Sequence, residues 1–200
     1  MKKAKRSCDA IVDAFVAAVN LAPRDELSRE GIPKACLLSA GKWPHAFDWQ
    51  IVRSEDASWL PALEGRLPFP VPTTFRSLIS RYTFPAFIAG PLTFHAVGLP
   101  EPGAKFQEFR FAILADAIMS PFLLKQGFLP FARPASGSYD PVCFDCRNSR
   151  RKAEPAVVRV DHEEILCNDR LQVVEQLAAG FDVLLEETTS ALEATTARSP

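Results

Sequence analysis

The residues with the most chemical capacity in this 200-residue chain lie in one stretch, "GSYDPVCFDCRNSRRK", Gly137 to Lys152. It holds two thiols three positions apart, Cys143 and Cys146, the acids Asp140 and Asp145, and the cations Arg147, Arg150, Arg151 and Lys152. Thiolates at that spacing hold zinc when a tight turn makes them converge and two further ligands complete a tetrahedron. At a helix N-terminus the same spacing makes a redox pair. Neither context is met. "PVCFDC" alternates like a strand, which puts Val142, Phe144 and Cys146 on one face and Cys143 and Asp145 on the other. His162 and Cys167 stand at no standard ligand spacing from the pair. The thiols therefore read as small buried side chains, with no metal and no cofactor expected.

Two other chemistries compete for the same residues. Cys143 as nucleophile, His162 as base and Asp145 or Asp161 as orienter would make an enzyme. Such residue types occur by chance in most chains, and the sequence has no Gly-rich phosphate loop and no Ser-centred elbow. Arg147, Arg150, Arg151 and Lys152 could meet nucleic acid, but they lack interleaved aromatics and read as a solvated hairpin tip. His95 falls opposite Leu92, Phe94 and Ala96, toward solvent or a groove, where a lone histidine is usually structural. The expectation is a protein that is not an enzyme.

The elements that must position these residues follow from periodicity. Ser7 caps an amphipathic helix with Ile11, Val12, Phe15, Val16 and Val19 on one face. Asp9 and Asp13 interrupt what would otherwise imitate a signal peptide. "SWLPALEGRL" and "VPTTFRSLISRY" are two further helices, the second with Phe75, Leu78, Ile79 and Tyr82 facing inward and Arg76 and Arg81 outward. "FPAFIAG" and "LTFHAV" read as paired strands, since Pro85, Gly90, Pro91 and Gly98 break the charge-free run from Thr83 to Pro100 that would have to cross a membrane. A helix is expected from Phe109, bent or ended by Pro121. "GFLPFA", "PVCFDC" and "AVVRVD" then form a meander. The last element, "DRLQVVEQLAAGFDVLLEETT", has Leu171, Val174, Ala178, Phe181, Leu184 and Leu185 in helical register, with fraying expected after Glu187.

Composition sets the outer bounds. With 48% apolar residues the chain can bury one sizeable core, and Lys+Arg 23 against Asp+Glu 24 gives no global field toward nucleic acid or an acidic membrane. Five cysteines, an odd number spread thinly, fit free thiols and a cytoplasmic location.

The segments "LEGRLPFPVPTTFRSLISRY", "GFLPFARPASGSYDPVCFD", "PAVVRVDHEEIL" and "LAAGFDVLLEE" occur in an order that resembles the SUKH superfamily, which includes the Smi/Knr cell-wall-assembly regulators and bacterial immunity proteins. The chain departs from the family's usual pattern at Tyr82–Pro85, where a glycine turn is expected, and residues before Trp43 have no counterpart in the minimal domain. The resemblance implies an α+β fold, a twisted mainly antiparallel sheet packed by helices. It divides the chain into a helical extension over 1–42, a SUKH-like domain over 43–187 and a flexible tail over 188–200. It further implies a protein-binding module without catalysis, most concretely an immunity-type protein that neutralises a toxin domain, with a regulatory scaffold as the alternative. With helices on one side of the sheet, the open positions for a protein partner are Tyr139, Asp140, Asp145, Arg147, Arg150 and Arg151.

Overall fold

The computed structural model describes residues 6–28, 31–40, 46–98, 118–148 and 154–197. Helix α1 (Cys8–Leu21) begins where Ser7 Oγ accepts the Ala10 N–H at 3.3 Å, and it buries Ile11, Val12, Phe15, Val16 and Val19. Three short strands follow, β1 (Leu27–Ser28), β2 (Leu37–Ala40) and β3 (Ala46–Trp49), arranged antiparallel in the order β1-β3-β2. Strand β4 (Val52–Arg53) pairs with β5 (Tyr82–Thr83), and between them run α2 (Trp59–Glu64) and α3 (Thr73–Arg81). Phe75, Leu78 and Ile79 of α3 are buried, as their spacing requires.

The main sheet is a meander of β6 (Phe87–Ala89), β7 (Leu92–Phe94), β8 (Phe128–Pro134), β9 (Val142–Asp145), β10 (Val157–Val160) and β11 (Val173–Ala178). Each strand pairs antiparallel with the next. Helix α4 (Met119–Lys125) precedes β8, α5 (His162–Asn168) joins β10 to β11, and α6 (Phe181–Thr196) follows β11. The α+β class with an antiparallel sheet is as expected.

Aromatic rings build the larger core. Phe131 stacks on Phe144 at 4.3 Å, Phe87 on Phe94 at 5.0 Å, and Phe75 meets Phe131, Phe144 and Phe181. Phe15 of α1 lies 5.7 Å from Phe94, so the helix expected to stand ahead of the domain contributes to this same core. The other face of the sheet is covered too. Leu123 of α4 and Ile165 of α5 pack on Phe128, Cys143, Val158 and Val160, where helices on one side had been expected.

Further expectations give way. The stretch Leu171–Leu185 is not one helix, because β11 occupies 173–178 and α6 starts at Phe181. Gly180 marks the junction: a Cβ there would lie 2.5 Å from Asp182 Oδ1 and 3.1 Å from Glu154 Cβ. Beyond Glu187 the helix continues to Thr196, with Thr188 and Thr189 buried, instead of fraying. Of the helix expected from Phe109, residues 109–117 lie outside the described residues, and Pro121 sits in the first turn of α4, where its missing N–H is tolerated. Among the described residues no helix is long and apolar enough to cross a membrane.

Candidate binding surface at the two ends of strand β9

Strand β9 separates the expected site residues into two groups. Tyr139 and Asp140 precede the strand, Asp145 closes it, and Arg147 lies in the 3-10 turn that follows. The five residue steps from Asp140 to Asp145, most of them along the strand, hold the groups more than 10 Å apart at about 3.3 Å per residue. Arg150 and Arg151, with Lys152, lie outside the described residues.

At the first end Asp140 is the organising group. Its Oδ1 accepts from the backbone N–H of His162 at 3.2 Å and lies 2.7 Å from His162 Nδ1, while Oδ2 is 3.5 Å from an Arg159 guanidinium nitrogen. An ionised carboxylate only accepts hydrogen bonds, so Nδ1 carries the proton and Nε2 is the ring's remaining polar atom. Burial raises the Asp140 pKa, but the hydrogen bonds from His162 and Ser138 outweigh it and hold the carboxyl below its ordinary value. Beside the imidazole, Tyr139 is 69% exposed, with its ring 6.0 Å from that of His162.

The fold places these groups by local rules. Ser138 Oγ accepts the Asp140 N–H at 3.1 Å and tightens the turn before β9. Asp161 caps α5 by accepting from Glu163 N at 2.9 Å and Glu164 N at 3.1 Å, and this fixes His162 as the first helical residue. Asp140, Asp161 and His162 are close enough to share a metal ion, with one ligand atom from each within 4.8 Å of the others. Part of that set is already engaged: Asp140 Oδ1 and His162 Nδ1 face each other, Asp161 Oδ1 closes the helix, and Arg159 supplies positive charge beside Asp140 Oδ2. The cluster is a hydrogen-bonded clamp on a histidine ring.

The second end is self-satisfied. Arg147 Nε donates to Asp145 Oδ1 at 2.8 Å and an Nη to Oδ2 at 2.6 Å, a bidentate fork that raises the guanidinium pKa further. The guanidinium carbon lies 4.7 Å from the centre of the Phe128 ring. Gly127, at φ +87°, makes room for it, since a Cβ there would come within 2.8 Å of Arg147 Cγ. Asp145 thus anchors the arginine.

The thiols divide as the strand alternation requires. Cys146 joins the larger core and Cys143 the smaller one across the sheet. Burial pushes the Cys143 thiol well up and that of Cys146 to about 12, which leaves neither nucleophilic at neutral pH. The acid bonded to the His162 ring is Asp140, whereas Asp145 is held by Arg147 and Asp161 Oδ1 caps α5, so neither expected orienter is bonded to that ring through these atoms. His95, expected toward solvent or a groove, is half-buried, and burial and then Arg133 lower its pKa to about 4. Arg159 went unread as a site residue. The signal for it was "VRVDHEE", a lone cation in an apolar strand leading into an acidic helix start.

The fold and site define an α+β protein whose six-stranded antiparallel sheet is covered on both faces, with a clamped histidine at a sheet end. Comparison with protein-family models, with curated proteins and with solved structures gives no match.

Proposed function

We propose that this chain is a non-enzymatic protein-binding module of immunity type, whose partner is a toxin domain that it neutralises. The contact surface is the sheet end bearing Tyr139, Asp140 and His162. The observation that carries the reading is the exposed Tyr139 ring standing beside an imidazole that Asp140 holds in one orientation. A large amphipathic side chain next to a pre-oriented polar group is the composition of an interface anchor, because little rotamer freedom remains to be lost on binding. The resemblance of the segment order to the SUKH superfamily supports the partner class. The inert thiols take away the nucleophile on which a Cys/His enzyme would depend.

The test titrates the purified chain with the product of the neighbouring reading frame by calorimetry and compares the two ends of β9. Tyr139→Ala and His162→Ala are expected to weaken binding at least tenfold, about 1.4 kcal/mol, with the melting temperature little changed for Tyr139→Ala. Arg147→Ala, at the second end, should bind like the wild type. Loss of binding on Arg147→Ala alone moves the contact to that end, and a neighbouring product that does not bind defeats the toxin-neutralising reading.

A further inference from the structure

Asp140 holds the His162 ring by Nδ1, and the ring's other nitrogen, Nε2, makes no hydrogen bond among the described residues. With the proton on Nδ1, Nε2 carries a lone pair, so the clamped ring offers an acceptor. Whatever meets it must be a donor. Tyr139 supplies the other half of the surface: its ring is 69% exposed, and its centre stands 6.0 Å from that of the imidazole. The face of an aromatic ring attracts a cation placed within about 6 Å of its centre.

Charge around the pair favours the same kind of ligand. Arg159 lies 3.5 Å from both Asp140 and Glu175, and Arg170 lies 2.8 Å from Glu164, so two guanidiniums serve three carboxylates. Asp161 is engaged by the start of α5, and Glu163, exposed in the first turn, forms no ion pair among the described residues. Carboxylates thus outnumber the cations that pair with them at this end, although the formal net charge of the whole chain is only −1. A local excess of this kind selects a basic group over a neutral one.

Given the contact surface proposed above, on which this rests, we propose that this sheet end takes an arginine side chain of the protein partner, its guanidinium lying over the Tyr139 ring and one of its N–H groups donating to His162 Nε2. Arginine fits better than lysine, because a flat guanidinium stacks on an aromatic face and keeps its donors in its own plane. A hydroxyl or amide donor would satisfy Nε2 but leave the acidic surround unanswered.

The test titrates the full chain with a blocked tetra-arginine peptide, its citrulline counterpart and its lysine counterpart, each to about 5 mM, and follows Tyr139 and His162 by NMR. The arginine peptide should shift both residues. Citrulline, flat and donating but neutral, should not, and the lysine peptide should bind less tightly by about threefold or more. His162→Asn keeps a donor toward Asp140 and loses the acceptor at Nε2, whereas His162→Gln does the reverse. His162→Asn should therefore melt at a higher temperature than His162→Gln, yet bind the arginine peptide about threefold or more less tightly. Tyr139→Leu should bind it less tightly than Tyr139→Phe by a similar factor. Equal shifts from the citrulline peptide, no shift at Tyr139 and His162 with arginine, or affinities that follow melting temperature across the His162 variants overturn the proposal. None of these readouts uses the neighbouring gene product. If that product fails to bind while the arginine peptide shifts the site, the toxin-neutralising reading falls and the arginine site stands; if the product binds and the peptide does not, the arginine site alone falls.

Discussion

Asp140 ties three parts of the chain together, because its carboxylate takes bonds from His162 at the start of α5, faces Arg159 in β10, and sits in the turn before β9. Its pKa is lower folded than unfolded, where the usual value is about 3.9. The unfolded chain therefore binds the proton more readily. The stabilisation from Asp140 is complete above that unfolded value and is lost as pH falls through the folded one. Asp140→Asn should cost about 1 to 2 kcal/mol at pH 7, since the amide can still accept from His162 but has no charge to offer it. The difference in unfolding free energy between wild type and variant, measured in urea, should shrink below about pH 4. A difference that stays constant from pH 7 to pH 3 would show that the carboxylate charge contributes nothing. This pairing was not legible beforehand. Tyr139 and Asp140 read as open positions for a partner, but the hydrogen bond to His162 spans 22 positions and depends on how β9 lies beside β10.

At the scale of the element, α6 carries the clearest expectation. Thr188 and Thr189 are 6% and 8% exposed, Thr189 Oγ1 donates to Leu185 O at 2.7 Å, and Leu192 packs against the larger core. A chain ending at Glu187 should lose about 2 to 4 kcal/mol, the scale of removing one or two buried side chains. Denaturation of the shortened chain at wild-type stability would return residues 188–196 to the status of a tail. Helices α1, α2 and α3 and strands β6 to β10 could be read because each has a single period bounded by Gly, Pro or a cap: Ser7 opens α1, and Pro72 precedes α3. The segment after Asp169 could not. Leu171, Val174, Ala178, Phe181 and Leu185 fall at helical spacing although a strand and a helix share them, and the coincidence hid the β-branched pair Val173-Val174 and the break at Gly180. Gly180 stands at the N-cap of α6, and that boundary is what divides the segment.

The whole molecule is held by contacts of two very different ranges. The meander is local, each strand lying beside its neighbour in the chain, as with β8 and β9 or β10 and β11. Helix α1 also packs against α6, and there the two partners stand at least 160 residues apart in the chain, from Leu21 to Phe181. Opposite the sheet, Asp13 of α1 bonds to Arg81 and Tyr82 and pulls the first helix onto α3 and β5. Burial, then the bond to Asp13, raises the Tyr82 pKa to about 12, so the phenol remains a donor throughout the neutral range.

That split between near and far contacts sets an order of assembly. Closing a hairpin costs little chain entropy, whereas bringing the first and last helices together must await most of the polypeptide. The β8–β9 hairpin, with Phe131 stacked on Phe144, is the natural nucleus, and the seating of α1 is a late event. Phe144→Leu should therefore slow refolding by most of its cost in stability, with a φ-value of about 0.5 or more. Val12→Ala, in α1, should leave the refolding rate nearly unchanged and accelerate unfolding instead, with φ below about 0.3. Stopped-flow kinetics decide between this order and its inverse, in which a high φ at Val12 would mean that the chain gathers its two ends first. The late seating of α1 also fixes when a newborn chain is vulnerable. Until the final helix leaves the ribosome, the aromatic surface that Phe15 comes to cover stays open to aggregation or to a chaperone.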